Sequence, residues 1–255
     1  MRPSRGVVLL PLAALCSMTV CACGGGGLLG KEYEYEEQLR LDVDGSARMD
    51  LSASVAALVA LRGLDLNPNP AAEVDRLKLR AMFEGPGVEV ESLRLSRRDG
   101  RPFVHVRLEV ADVRALSRLA PFSWSTYEFN RRGELIEYKQ TVGRGAVRTV
   151  GDVGWTGHER VVFRMYIPSV IAFHNAPSRT VERGNVLEWE QPLVDRLKGV
   201  PLDVEVNMEP ESILYTTLLV FGSAVMLAAL AFGVVIWQVS RHGREEIVPA
   251  TGSGS

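Results

Sequence analysis

The segment 33–51, YEYEEQLRLDVDGSARMDL, sets the architecture of this chain. Tyr33, Tyr35, Leu39, Leu41 and Val43 fall on one side of an extended chain, and Glu34, Glu36, Arg40 and Asp42 on the other. A period of two with one polar face marks a half-buried strand. Asp44-Gly45 then interrupts it, a hairpin signal because the tight turn needs positive φ. Ala47, Met49 and Leu51 resume the alternation on the return strand. A hairpin with one apolar face needs further elements to cover it, and the flanking sequence supplies them.

Ser54 opens VAALVALRGL, a helical run with Ser54 as cap and Gly63 as stop. The run is apolar nearly all round, which predicts burial. Asn67-Pro68-Asn69-Pro70 breaks the chain, and 71–83 reads as an amphipathic helix stopped by Glu84-Gly85-Pro86-Gly87. The pattern then recurs: strands over 88–96 and 103–110 flank Asp99-Gly100, and a short helix follows over 111–119. A third hairpin, 125–130 and 134–142, turns at Arg132-Gly133. The stretch 141–158 is glycine-rich without a period and reads as a mobile loop, the alternative being a disordered surface insertion. Its Val147, Val150, Val153 and Trp155 are available to fold over a cavity or touch a membrane. Strand signals return over 161–167, and 169–175 and 186–190 flank a polar turn ending in Gly184-Asn185. A short helix at 193–197 and a strand at 202–208 complete the region. The expected class is α+β, an antiparallel hairpin-rich sheet with short helices.

The run 213–239, ILYTTLLVFGSAVMLAALAFGVVIWQV, holds no Asp, Glu, Lys, Arg or His over 27 residues. At about 1.5 Å per residue it extends roughly 40 Å, more than the ~30 Å hydrocarbon core of a bilayer. One C-terminal transmembrane helix is therefore expected. Glu209 and Glu211 precede it, whereas Arg241, His242 and Arg244 follow. That asymmetry places a tail, 240–255, in the cytoplasm and the domain 31–208 outside.

The N-terminus agrees. Arg2 and Arg5 precede VVLLPLAAL at 7–15, a segment too short to span and suited to a secretory signal over 1–22. Val20-Cys21-Ala22-Cys23 resembles the bacterial lipobox, which makes Cys23 the expected lipid-attachment site and 23–30, with Gly24 to Gly27, a flexible tether. The alternative is an ordinary signal peptide removed together with its cysteines. Either way no cysteine remains in 31–208, so no disulfide supports the domain.

Little in the chain points to chemistry. The formal charge of −2 with dispersed basic residues gives no reason to expect nucleic acid as a partner. Gly143-Arg144-Gly145 lacks the spacing of a phosphate loop. His105, His158 and His174 show no metal-ligand spacing, and no GxSxG elbow occurs. A non-catalytic protein with no cofactor and no metal is expected. Trp124, Trp155, Phe173 and Trp189 are candidates to line a pocket for an acyl chain or glycolipid; the plainer alternative is that they fill the core.

The lipobox-like Cys23, the opening Tyr-Glu-Tyr-Glu-Glu strand with Asp44-Gly45-Ser46, Phe173-His174-Asn175, the run from Gly184 to Trp189 and the C-terminal span together resemble the LppM-type envelope lipoproteins of bacteria. The resemblance implies an α+β module similar to lipid-binding domains, handling envelope glycolipids at the cytoplasmic membrane. The function it suggests is a membrane-anchored lipoprotein whose ectodomain binds a membrane lipid or glycolipid. The alternative is a structural or assembly protein presenting a surface to other envelope proteins.

Overall fold

The computed structural model describes residues 33–177 and 185–242. The expected signal segment, Cys23, the expected tether and most of the expected tail lie outside the described residues.

The opening hairpin forms as the alternation predicts. Strand β1 (Tyr33–Leu41) pairs antiparallel with β2 (Ala47–Ser54), and Gly45 in the turn has φ +89. Helix α1 (Val55–Arg62) follows at once. Ser54 Oγ accepts the Ala57 amide at 3.0 Å, and Gly63, with φ +67, closes the helix by donating to the Val59 carbonyl at 2.9 Å. Helix α2 (Arg76–Phe83) starts five residues later than its sequence pattern suggests. The side chains of Asn67 and Asn69 accept the amides of Asn69 and Ala71, forming successive turns, and Asp75 then caps the helix through the amides of Leu77 and Lys78. Asn and Asp favour such local bonds over a helical interior.

Strands β3 (Val88–Arg98) and β4 (Arg101–Val110) form the second hairpin, followed by a 3-10 helix at Val113–Arg118. The third hairpin is β5 (Ser125–Arg132) with β6 (Leu135–Val142). Strands β7 (Arg160–Tyr166), β8 (Ser169–His174) and β9 (Val186–Pro192), helix α3 (Leu193–Lys198) and strand β10 (Leu202–Ser212) lead into helix α4 (Ile213–His242). Thr217–Gln238 in α4 is long and apolar enough to cross a membrane.

The described residues form two sheets rather than one. The first runs β3-β4-β2-β1-β7-β9 and the second β5-β6-β10-β8. Pairing is antiparallel except for β1 with β7, which is parallel and sets Leu39 opposite Met165. Local hairpin signals do not report this join, because the chain builds β5 and β6 of the other sheet before returning as β7. The expected polar turn before Asn185 falls at 178–184, outside the described residues, and the strands on either side part company: β8 pairs with β10, and β9 with β7.

Inward residues of both sheets form one core. Tyr35, Met49, Leu108, Met165 and Trp189 contribute from the first sheet, and Tyr138, Val204 and Val206 from the second. The inter-sheet void lined by Glu37, Leu39, Gln140, Phe163, Trp189 and Val204 measures about 10 Å³, room for a single water at most.

The glycine-rich stretch is not the free loop that its composition suggests. The Ala146 amide donates to the Leu61 carbonyl at 2.8 Å and the Arg148 amide to that of Ala60 at 3.3 Å. These bonds satisfy carbonyls that the C-terminus of α1 leaves open. Val153 is buried, and Arg101 holds the Gly154 carbonyl at 2.9 Å. Gly143 is required where it stands: a Cβ there would lie 2.6 Å from the Trp124 carbonyl oxygen that its own amide bonds.

Candidate functional site

The outward face of the first sheet is polar because the period-two alternation that buries Tyr35, Met49 and Val106 sends their neighbours the other way. Two rows of side chains cross its strands. In one, Arg94 of β3 stands opposite His105 of β4, which stands opposite Ser52 of β2. In the next, Arg107 of β4 faces Asp50 of β2, which faces Gln38 of β1. These rows line a concavity of about 540 Å³.

Most charges in the groove are matched. Arg107 bonds Asp50 at 2.7 Å, and Glu36 pairs with Arg164, which also holds Glu188 at 2.8 Å. Two are not. Among the described residues Arg94 makes no ion pair, and Arg40 makes none either, its guanidinium lying 5.3 Å from the ring centre of Tyr166. The groove therefore presents two exposed guanidinium groups with no carboxylate of their own.

His105 is fixed between two hydroxyls, Ser52 Oγ 3.0 Å from Nδ1 and Ser96 Oγ 2.8 Å from Nε2. Partial burial holds its pKa below the ordinary 6.5, and the positive charges of Arg94 and Arg98 push it the same way against Glu36. A neutral ring, one nitrogen donating and the other accepting, suits two hydroxyl partners. Because the folded-state pKa is depressed, the unfolded chain takes up this proton first, and stability declines as pH falls below 6.5 toward the lower value. An NMR titration is expected to place His105 below 6.5 and to move it upward in Arg94→Gln.

The sequence-nominated aromatics do not converge on this groove. Trp189 is in the core, its Nε1 donating to Asn175 Oδ1 at 2.9 Å. Trp124 lies beneath the Arg62 guanidinium, 3.0 Å from its ring centre. Trp155, within the glycine-rich stretch, donates to Glu34 Oε2 at 3.0 Å, and Phe173 is half exposed on β8. Cys23 lies outside the described residues. The described residues hold no group of three candidate metal ligands.

A second polar constellation is internal. Glu37, on the buried side of β1, accepts Arg62 Nη2 at 2.7 Å, a Gln140 amide at 3.3 Å and the Tyr35 hydroxyl. Tyr138 donates to Gln140 at 3.0 Å. Arg196 of α3 reaches the carbonyls of Val142, Gly143 and Val200, and burial together with the nearby Arg62 pushes its pKa down to about 10. This cluster knits β1, α1, β6 and α3 together, and its ligands are the protein's own groups.

No protein-family model matches the chain, and no curated protein matches it. Among solved structures it is similar to the folded domain of the Mycobacterium tuberculosis LppM protein, determined by NMR. The identity is 13%, with a TM-score of 0.38, covering 73% of this chain and 95% of the other.

Proposed function

We propose that the chain is a membrane-anchored, non-catalytic binding module that takes the anionic head group of a membrane lipid or glycolipid in the polar groove of the first sheet. One observation carries this reading: Arg40 and Arg94 stand in that groove without carboxylate partners. A guanidinium offers parallel N–H donors matched to phosphate or carboxylate oxygens. The inter-sheet void of about 10 Å³ has no room for an acyl chain, so a lipid ligand would keep its chains in the bilayer and offer only its head.

The groove is suitably placed for that. Arg40 pairs in register with Tyr166, and two residues on, the Pro168 carbonyl accepts the amide of Ile213, the first residue of α4. The Arg40 end of the groove thus lies near the start of the apolar helix, which continues from β10 of the second sheet. In this reading α4 crosses the bacterial cytoplasmic membrane once, the domain stands on its outer face with the C-terminus inside, and an acylated Cys23 supplies a second anchor.

The test titrates dihexanoyl phosphatidic acid into the full chain held in phosphatidylcholine nanodiscs. Arg40→Gln/Arg94→Gln is expected to weaken binding by about tenfold or more, the loss of one to two charge-assisted hydrogen bonds. Equal affinity in the double variant, or equal binding of dihexanoyl phosphatidylcholine, sinks the proposal. Phe173, about half exposed on the edge strand β8, favours a second reading in which an envelope protein adds a strand there. A photo-crosslinker at position 173 that captures one protein reproducibly, and loses it when Phe173→Glu is introduced, would favour that reading.

A further inference from the structure

The join between domain and helix has no linker. Strand β10 pairs with β8 as far as Ser212, which stands opposite Ser169, and α4 begins at the next residue. The Ile213 amide donates to the Pro168 carbonyl at 2.8 Å. Ser169 is fully buried, and its hydroxyl donates to the carbonyls of Glu209 at 2.6 Å and Glu211 at 2.9 Å. Asn185, in the left-handed region at φ +56, closes the corner by donating from Nδ2 to the Ser169 carbonyl at 2.8 Å and accepting the Ile167 amide at 3.2 Å. A strand bonded to its last residue and continued directly as a helix cannot swivel as a flexible tether does.

We infer that this corner, Pro168 to Val170, is a membrane seat: a docking surface that rests in the head-group layer of the bilayer crossed by α4. The distances decide it. Only residues 213–216 separate the corner from the apolar segment Thr217–Gln238. Four residues rise about 6 Å along a helix, and each head-group layer is about 5–7 Å thick. Two apolar side chains are exposed there, Val170 at 47% and Ile213 at 43%. Glu209 and Glu211 beside them are exposed carboxylates, so the seat does not draw on attraction to anionic lipid, and it holds in a zwitterionic bilayer at high salt. Its role is to set the height and attitude of the domain over the lipid surface.

The inference rests on α4 spanning the bilayer, and the experiment reads that separately. The full chain is reconstituted in phosphatidylcholine vesicles whose acyl chains carry bromine near the head group. The native Trp237 in α4 reports insertion by being quenched; without that quenching the anchoring falls, and the seat with it. With Trp237 quenched, a tryptophan added as Val170→Trp is expected to be quenched. One added as Val200→Trp, just before the far end of β10 and some 35 Å away at about 3.4 Å per residue, is not. Inserting Gly-Ser-Gly-Ser between Ser212 and Ile213 is expected to abolish the quenching at position 170. Equal quenching at 170 and 200, or quenching at 170 that survives the insertion, overturns the seat.

Discussion

Arg62→Ala is expected to lower the free energy of unfolding by about 3–5 kcal/mol, the usual result of removing one partner from a buried ion pair. Arg62 and Glu37 are 2.7 Å apart with side chains 0% and 2% exposed. The guanidinium carbon also lies 3.0 Å from the ring centre of Trp124 and 4.2 Å from that of Tyr35, so truncation removes packing as well as charge. The carboxylate left behind would be deprived of its strongest donor. Burial already raises the Glu37 pKa above the ordinary 4.5, and Arg62 is the largest influence pulling it back. Without Arg62 the folded-state pKa climbs further. Over the window from 4.5 up to that value the folded variant holds a proton that the unfolded chain has lost, so stability falls as pH rises through it. The deficit is therefore larger at pH 8 than at pH 5. Urea unfolding of the full chain in nanodiscs at both pH values, followed by tryptophan emission, checks the magnitude and the sign. An equal deficit at the two pH values would show that Glu37 does not respond to Arg62. The double replacement Glu37→Leu/Arg62→Met is expected to recover most of the loss, since apolar side chains of similar volume substitute well for a buried pair.

How much of this was legible follows from which signals are local. The hairpins at Gly45, Gly100 and Gly133 could be read because turn residue and alternation lie within one short window, and each glycine takes positive φ. Cap and stop residues gave α1 for the same reason. The second sheet was hidden because β10 pairs with β6 and β8 across long stretches of chain, and no local pattern records that register. The polar groove was half legible. Alternation shows that Arg40 and Arg94 face outward, but their lack of carboxylates follows only from which strands lie beside them. Glu37 had a sequence signal: it occupies an inward position in β1 between Tyr35 and Leu39, where the alternation calls for an apolar residue. A charged residue in such a place needs a buried counter-charge. Arg62, closing an otherwise apolar helix, was the only charged residue of α1 available to supply it. The stretch 141–158 misled because glycine richness was equated with freedom. The amides of Ala146 and Arg148 on α1 carbonyls, the buried Val153 and the bond from Arg101 to the Gly154 carbonyl fasten it to the domain instead.

Trp189→Ala is the sharpest way to separate the two roles that an aromatic residue in such a domain can play. A tryptophan lining an open ligand pocket can be truncated with little cost in stability and a large cost in binding. Trp189 is placed for the reverse. It is 2% exposed, borders the small void beside Glu37 and Gln140, and its Nε1 donates to Asn175 Oδ1 at 2.9 Å. Asn175 in turn accepts the Glu205 amide at 2.9 Å and donates to the Asp203 carbonyl at 3.0 Å, so this indole ties β9 of one sheet to β10 of the other. Truncation to alanine is expected to cost about 3–5 kcal/mol through lost burial and the cavity left behind. Trp189→Phe keeps most of the volume, and Asn175 Oδ1 retains the Glu205 amide, so its cost is about 1–2 kcal/mol. Both values come from urea unfolding of the full chain. At a denaturant concentration where every form is folded, Trp189→Ala should bind dihexanoyl phosphatidic acid as the parent does, because the groove lies on the opposite face of the sheet. A loss of affinity without loss of stability would place the lipid between the sheets and displace the groove as the binding site.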